Sequence, residues 1–308
     1  MIKTLKIFFI LLVFFVGIKS VSATTISPAV IDVNLDPGKS AVYEIKLYNE
    51  TENDLILDGV IEKFIPRGDQ GEVEVLPPDV SDISVTWIKL PVNSLILKPG
   101  DIISVPIVVS IPGTADVGGY YLAVMWESSS APSTGGNQAK ITSRVGVLIL
   151  LNVDGDVDNG LEIIDFDLKK NSNFYTNLPI EFTAKFRNIG NTHQRPGGAV
   201  IIKDFLGRTS EVISYNSQNS AILPNTTRVF NFWWGKDNTN GVITLLMNQF
   251  NNFAIGKFSA RAVVDYGDGQ ELSSDEIYFW VFPWKLILVV LLLFIFVISI
   301  GKKIKKKI

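Results

Sequence analysis

Few residues in this chain have the type and spacing that chemistry requires. It contains no cysteine and a single histidine, His193. Thiol catalysis and a zinc site of His and Cys ligands are therefore excluded, and any Ser-His-Asp triad would have to use that one imidazole. His193 lies between Asn191 and Arg195, just before Pro196-Gly197-Gly198, with no G-x-S-x-G motif nearby. A loop hydrogen bond is its expected role. Asp154, Asp156 and Asp158 alternate oxygen ligands as the opening of an EF-hand loop does, and Asp165 falls at the twelfth position, which makes them the calcium candidates. Asn159 stands where such a loop needs glycine, Asp165 where it needs a bidentate Glu, and the flanks read as strands. A plain acidic turn is expected instead, with no metal and no cofactor. Among 31 acidic residues no carboxylate pair has a context that marks it for hydrolysis, so no catalytic residue and no enzyme activity are expected. Trp233-Trp234 and Tyr120-Tyr121 have rings that could stack on sugars, but neighbouring strand residues face opposite ways, so one of each pair is expected in a core.

The elements that must position these residues read as β. From Thr24 to Val153 short β-prone runs alternate with Pro, Gly and Asn signals, and no stretch keeps a helical period. Strands are expected at Ile26–Leu35, Ala41–Asn49, Leu55–Phe64, Glu72–Leu76, Thr86–Leu90, Ser94–Leu97, Ile102–Ile111, Gly119–Glu127 and Thr142–Val153. The runs resume at Leu161–Leu168, Ile180–Asn188, Ala199–Asp204, Thr227–Trp234, Phe258–Asp265 and Glu276–Val281. Asp36-Pro37-Gly38 and Lys98-Pro99-Gly100-Asp101 have turn chemistry, since Pro presets φ and Gly accepts positive φ. This spacing predicts an all-β protein with two immunoglobulin-like β-sandwich domains, 24–153 and 161–281, joined by an acidic linker at 154–160.

Ala41–Leu47 and Ile102–Ile111 alternate apolar and polar residues, as a half-buried strand does. Gly119–Trp126 and Val145–Leu151 are apolar on both faces, so either the 65–93 excursion covers the outer face or a partner binds there. The partner surface is therefore expected at Tyr120, Tyr121, Trp126, Leu148 and Leu150, beside the polar 128–139 loop.

The two ends carry their own signals. Lys3 and Lys6 precede an apolar run from Ile7 to Ile18, and Val21-Ser22-Ala23 offers a cleavage site, so residues 1–23 read as a signal peptide. An apolar stretch follows Phe279, with Pro283 and Lys285 inside it and five lysines after Ile300. This predicts a transmembrane helix at 282–301 and a cytoplasmic basic tail at 302–308, hence a single-pass plasma-membrane protein with its body outside. Setting the end lysines aside leaves 19 basic against 31 acidic residues, a balance that excludes nucleic acid as a partner.

A resemblance adds to this reading. Ile26-Ser-Pro-Ala-Val-Ile-Asp32, Leu35-Asp-Pro-Gly38, Leu47-Tyr-Asn49, Leu97-Lys-Pro-Gly100, Val105–Pro112, Gly118-Gly-Tyr-Tyr121 and Arg144 before an apolar strand follow one another in an order. That order resembles the first domain of the WxL-interacting surface proteins of Gram-positive bacteria; such modules also look like pilus-chaperone-type sandwiches. Phe186–His193, Pro196–Ile202 and Asp204-Phe-Leu-Gly207 are similar to the second domain of that family. The resemblance implies a bacterial, non-enzymatic role, with the first domain associated with peptidoglycan and the second with partner or host proteins. A binding or scaffold protein for cell-wall polymer or another surface protein is the leading expectation. The alternative is an assembly factor that lends or accepts a β-strand, which requires an open apolar edge.

Overall fold

The computed structural model describes residues 24–78, 82–129, 143–170, 172–235, 253–266 and 269–305. The expected signal peptide and most of the 128–139 loop lie outside the described residues. The described chain is mostly β and divides into two compact units. Unit 1 is Met1–Phe64, Val75–Ala115 and Tyr120–Leu151; unit 2 is Ile65–Glu74, Asp116–Gly119 and Asn152–Ile308.

In unit 1 the expected first strand is two strands, β1 (Thr24–Ser27) and β2 (Val30–Leu35), which join different sheets. β1 runs antiparallel to β3 (Ser40–Asn49), β3 to β8 (Ile102–Ser110), and β8 to the two-residue β6 (Ile88–Lys89). The second sheet has the order β2-β10-β9-β4-β5, with β10 at Ser143–Val153, β9 at Gly118–Ser129, β4 at Leu55–Arg67 and β5 at Glu72–Val75; β7 (Ser94–Leu97) also pairs with β4. Alternation sends Ile45, Leu47, Val105, Ile107 and Val109 inward from one sheet and Leu57, Leu122, Val124, Trp126, Val147 and Ile149 from the other, all buried. Ile83–Trp87, expected in part as strand, is a 3₁₀ turn: the Asp82 carboxylate accepts from Ser84 N and so caps it.

Unit 2 repeats the plan. β11 (Leu161–Leu168) pairs with β13 (Ile180–Asn188), and β13 with β16 (Thr227–Trp234). The short β12 (Phe174–Tyr175) crosses to the other sheet, running parallel to β19 (Ile277–Val281). There the order is β12-β19-β17-β14-β15, with β17 at Gly256–Asp265, β14 at Gly197–Asp204 and β15 at Thr209–Ser214; β18 (Glu271–Ser273) pairs with β17. One core joins both sheets through Phe166, Phe182, Phe186, Phe232, Phe258 and Phe279. Its rings stack or meet edge-on at centroid distances of 5.7 to 6.3 Å, as their quadrupoles favour. Gly198 has φ of 138° where β14 passes Val263 and Tyr215. A Cβ there would collide with the Val263 carbonyl, so the close approach needs glycine.

The membrane expectation is corrected. Helix α1 (Trp284–Lys305, 22 residues) follows β19, but among the described residues no helix is long and apolar enough to cross a membrane. The physical reason is the distance between charges. Lys285 and Lys302 leave 16 uncharged residues between them, about 24 Å at 1.5 Å per residue against a hydrocarbon core of about 30 Å. The transmembrane span at 282–301, the cytoplasmic tail and the single-pass plasma-membrane location fall with it.

Candidate functional site

β10, apolar on both faces, is the centre of the candidate site. Val145-Gly-Val-Leu-Ile-Leu-Leu151 has β-branched and leucine side chains on both faces, which suits a strand covered on two sides. Val147, Ile149, Leu151 and Val153 point one way and are buried; Leu150, on the other face, is 5% exposed. On one side β10 neighbours β9. On the other, β2 offers six residues to the 11 of β10, and the hydrogen bond at the entrance to β2 runs from Leu148 N to Ala29 O, 2.9 Å. Strand N–H groups alternate in direction, so the even-numbered amides of β10 face the β2 side. β2 is shorter than β10, so part of that edge extends beyond it.

Arg144 anchors the first turn of this strand. Its guanidinium donates to Glu62 Oε2 on β4 at 2.5 Å and reaches Glu127 Oε1 on β9 at 2.9 Å, tying three adjacent strands together. Glu62 is only 4% exposed, so Arg144 compensates a carboxylate that is nearly out of water. The sequence reading noted Arg144 only as a landmark and missed both acids. Nothing in the local sequence marks Glu62 as interior, since its neighbour Lys63 is exposed and ion-paired to Asp82.

The structure disperses the five residues expected to form a partner surface. Trp126 is fully buried and Leu150 nearly so; neither presents surface, and both serve the core instead. Tyr120, Tyr121 and Leu148 are half-buried. Trp87 from the 3₁₀ turn packs on Tyr120 at 4.6 Å between centroids, and Phe64 meets Tyr121 edge-on at 6.0 Å. Leu90 lies beside Gly59 and Trp126, where a Cβ on Gly59 would come within 2.8 Å of Leu90 Cδ1. The 83–90 segment thus packs against β4 and β9.

Asp154, Asp156 and Asp158 do not gather. Among the described residues no group of three or more His, Cys, Asp or Glu side chains is placed to hold a metal ion. The turn is held by backbone instead: Asp158 N donates to Asn191 Oδ1 at 2.9 Å and Asp158 O accepts from Asn191 N at 3.0 Å. His193, half-buried, stands between Thr192 and Gln194, and the Gln194 amide donates to Asn159 Oδ1 at 2.7 Å. Of the paired aromatics, Trp234 is core and Trp233 is exposed, as alternation requires.

No family model matches this chain, and no curated protein matches it. Solved structures of pilus chaperones are similar in outline. The class 5 fimbriae chaperone CfaA shares 13% identity at a TM-score of 0.41, covering 82% of this chain and 98% of its own. The CsuC–CsuE chaperone and tip-subunit complex from Acinetobacter baumannii gives 10% and 0.37, over 84% and 99%. A Salmonella enterica SafA pilin with the SafB chaperone gives 8% and 0.38, over 85% and 98%. At these scores the likeness carries no argument about what this chain does.

Proposed function

We propose that this chain is a non-enzymatic assembly factor of two immunoglobulin-like sandwiches, which acts by β-strand addition along the open part of β10. The immunoglobulin-like description is supported by the first strand of each unit, split between two sheets before the chain turns into β3 or β13. The observation that carries the function is the 11-residue β10 flanked by only six residues of β2. An open edge supplies main-chain hydrogen bonds to an incoming strand, and the alternating apolar side chains of β10 supply its register. Unpartnered, such an edge is an aggregation hazard, which gives a reason for it to be filled by a client. The client fitting this edge is another surface protein that presents an extended strand to it.

Hydrogen exchange tests this directly. The full-length chain is mixed with purified surface-protein subunits of the source organism, and the β10 amides are followed. Slowing of the even-numbered amides that β2 does not meet, by about tenfold or more, is expected on complex formation. A stable complex in which those amides exchange as fast as in the free chain would sink the proposal.

A further inference from the structure

The outer face of the larger sheet in unit 2 carries three exposed aromatic rings in adjacent register. Phe174 on β12 lies directly opposite Trp280 on β19, and Tyr278 is two residues before Trp280 on the same face. They are 56%, 52% and 52% exposed, although their strand neighbours Tyr175, Phe279 and Val281 are buried. Strand geometry spaces such rings about 5 Å across the ladder and about 7 Å along it, so they form one continuous shelf.

The same face is charged in an ordered way. Lys257, opposite Trp280, holds its ammonium 4.7 Å from the Tyr278 ring centroid. The Tyr278 hydroxyl donates to Glu276 Oε2 at 2.9 Å, and Glu276 Oε1 lies 3.4 Å from the Arg261 guanidinium. Lys203, opposite Ser259, extends the set across β14. Beside the rings, Lys257, Arg261 and Lys203 face the single carboxylate of Glu276, while Asp265 and Glu271 share the face at the far end of β17; the shelf itself is positive, in a chain of net charge −3.

From this juxtaposition we infer that the Phe174–Trp280–Tyr278 shelf is a binding site for an acidic polysaccharide. The rings take the C–H faces of successive sugars, and Lys257 with its neighbours takes the acidic groups. Sugar hydroxyls can hydrogen-bond to the Arg261–Glu276 pair. A lipid surface pressed onto the same face would have to desolvate that pair, so the glycan is the better complement. This site lies on unit 2 and is independent of strand addition at β10.

The test uses the full-length chain, with hexagalacturonate as the acidic probe, maltohexaose as the neutral one and phosphatidylglycerol vesicles as the lipid alternative, followed by calorimetry and tryptophan fluorescence. Binding of hexagalacturonate is expected, weakening as NaCl screens it. Trp280→Ala should weaken it about tenfold or more and Trp280→Phe, which keeps a ring, less. Trp233→Ala removes an exposed ring on the other sheet and should change the affinity less than twofold, by about 0.4 kcal/mol at most. The inference is overturned by no measurable binding, by equal binding of maltohexaose, by an affinity unmoved in a folded Trp280→Ala chain, or by binding to the vesicles alone.

Discussion

The two units share a loop device that matches residue for residue. In unit 1, β3 ends on Asn49, buried, whose amide donates to Asn53 O and Leu97 O while its Oδ1 accepts from Thr51 N. In unit 2, β13 ends on Asn188, buried, whose amide donates to Thr192 O and Ile222 O while its Oδ1 accepts from Gly190 N. In each case the asparagine ties the loop after its strand to a second segment of its unit, the end of β7 in one and Ile222 in the other. The final strands differ. β10 has 11 residues, two apolar faces and a partly open edge; β19 has five, with one face buried and the other carrying Tyr278 and Trp280. The shared device shows what the scaffold needs, and the differing strands show where each unit is free to bind.

The largest effect that would sharpen this comparison comes from the core tryptophans. Trp126→Ala in unit 1 and Trp234→Ala in unit 2 should each cost about 3–5 kcal/mol, seen as loss of one calorimetric transition with the other retained. Trp126 Nε1 is buried with no hydrogen-bond partner among the described residues. Trp126→Phe therefore gives back part of the cost by removing an unsatisfied donor. Next come the asparagines. Asn49→Ala removes four hydrogen bonds and Asn188→Ala three, each leaving backbone groups unpaired, an expected loss of about 2–4 kcal/mol in the unit that carries the change. Equal losses keep the device equivalent in both units; a loss in one unit only would break the comparison.

Much of this architecture is legible in the sequence. Leu161–Leu168, Ile180–Asn188 and Thr227–Trp234 appear at the expected bounds because their alternation is regular and their ends carry turn chemistry. β12 and β15 were not legible. Phe174–Tyr175 is too short to show a period, and Thr209–Ser214 is exposed at an edge with little apolar signal. The site was harder still, since an apolar strand looks the same whether its second face meets a partner or its own chain. That is why Trp126 and Leu150 read as surface when they are core. The exposed aromatics of β19 were hidden for a related reason: Ile277–Val281 blends into the apolar run that follows it.

A smaller effect should separate the units at alkaline pH. Tyr215, buried in unit 2, places its hydroxyl 2.9 Å from Gly197 O and 3.0 Å from Val263 O, and burial, with Asp265 nearby, raises its pKa well above 10.0. The folded state thus favours the neutral phenol. This contribution is whole below the unfolded value of about 10 and is lost as pH climbs through the higher folded one. Unit 2 should lose stability progressively above about pH 10. Tyr215→Phe should be less stable at neutral pH and flatter in the alkaline range. Circular dichroism melts at stepped pH would show it, and an unchanged alkaline slope in the variant would assign the effect elsewhere.

The smallest effect contrasts two ion-paired carboxylates. In unit 1 the Lys63 ammonium, 2.7 Å away, and the Ser84 hydroxyl hold Asp82 below its usual pKa; in unit 2 Lys185, at 2.9 Å, and Gln70 do the same for Asp69. Both contributions are present above the unfolded value near 3.8 and fade as pH falls through the lower folded one. Solvent reaches both pairs, so each is worth at most about 1 kcal/mol and weakens in salt. Asp82 has a second role that Asp69 lacks, since its Oδ1 caps the 3₁₀ turn through Ser84 N and Ser84 Oγ. In 1 M NaCl, Asp69→Asn should become nearly neutral, whereas Asp82→Ala should still cost about 1 kcal/mol because the cap does not depend on charge. Equal residual costs at high salt would mean that the turn carrying Trp87 is held by its packing on Tyr120 and not by its cap.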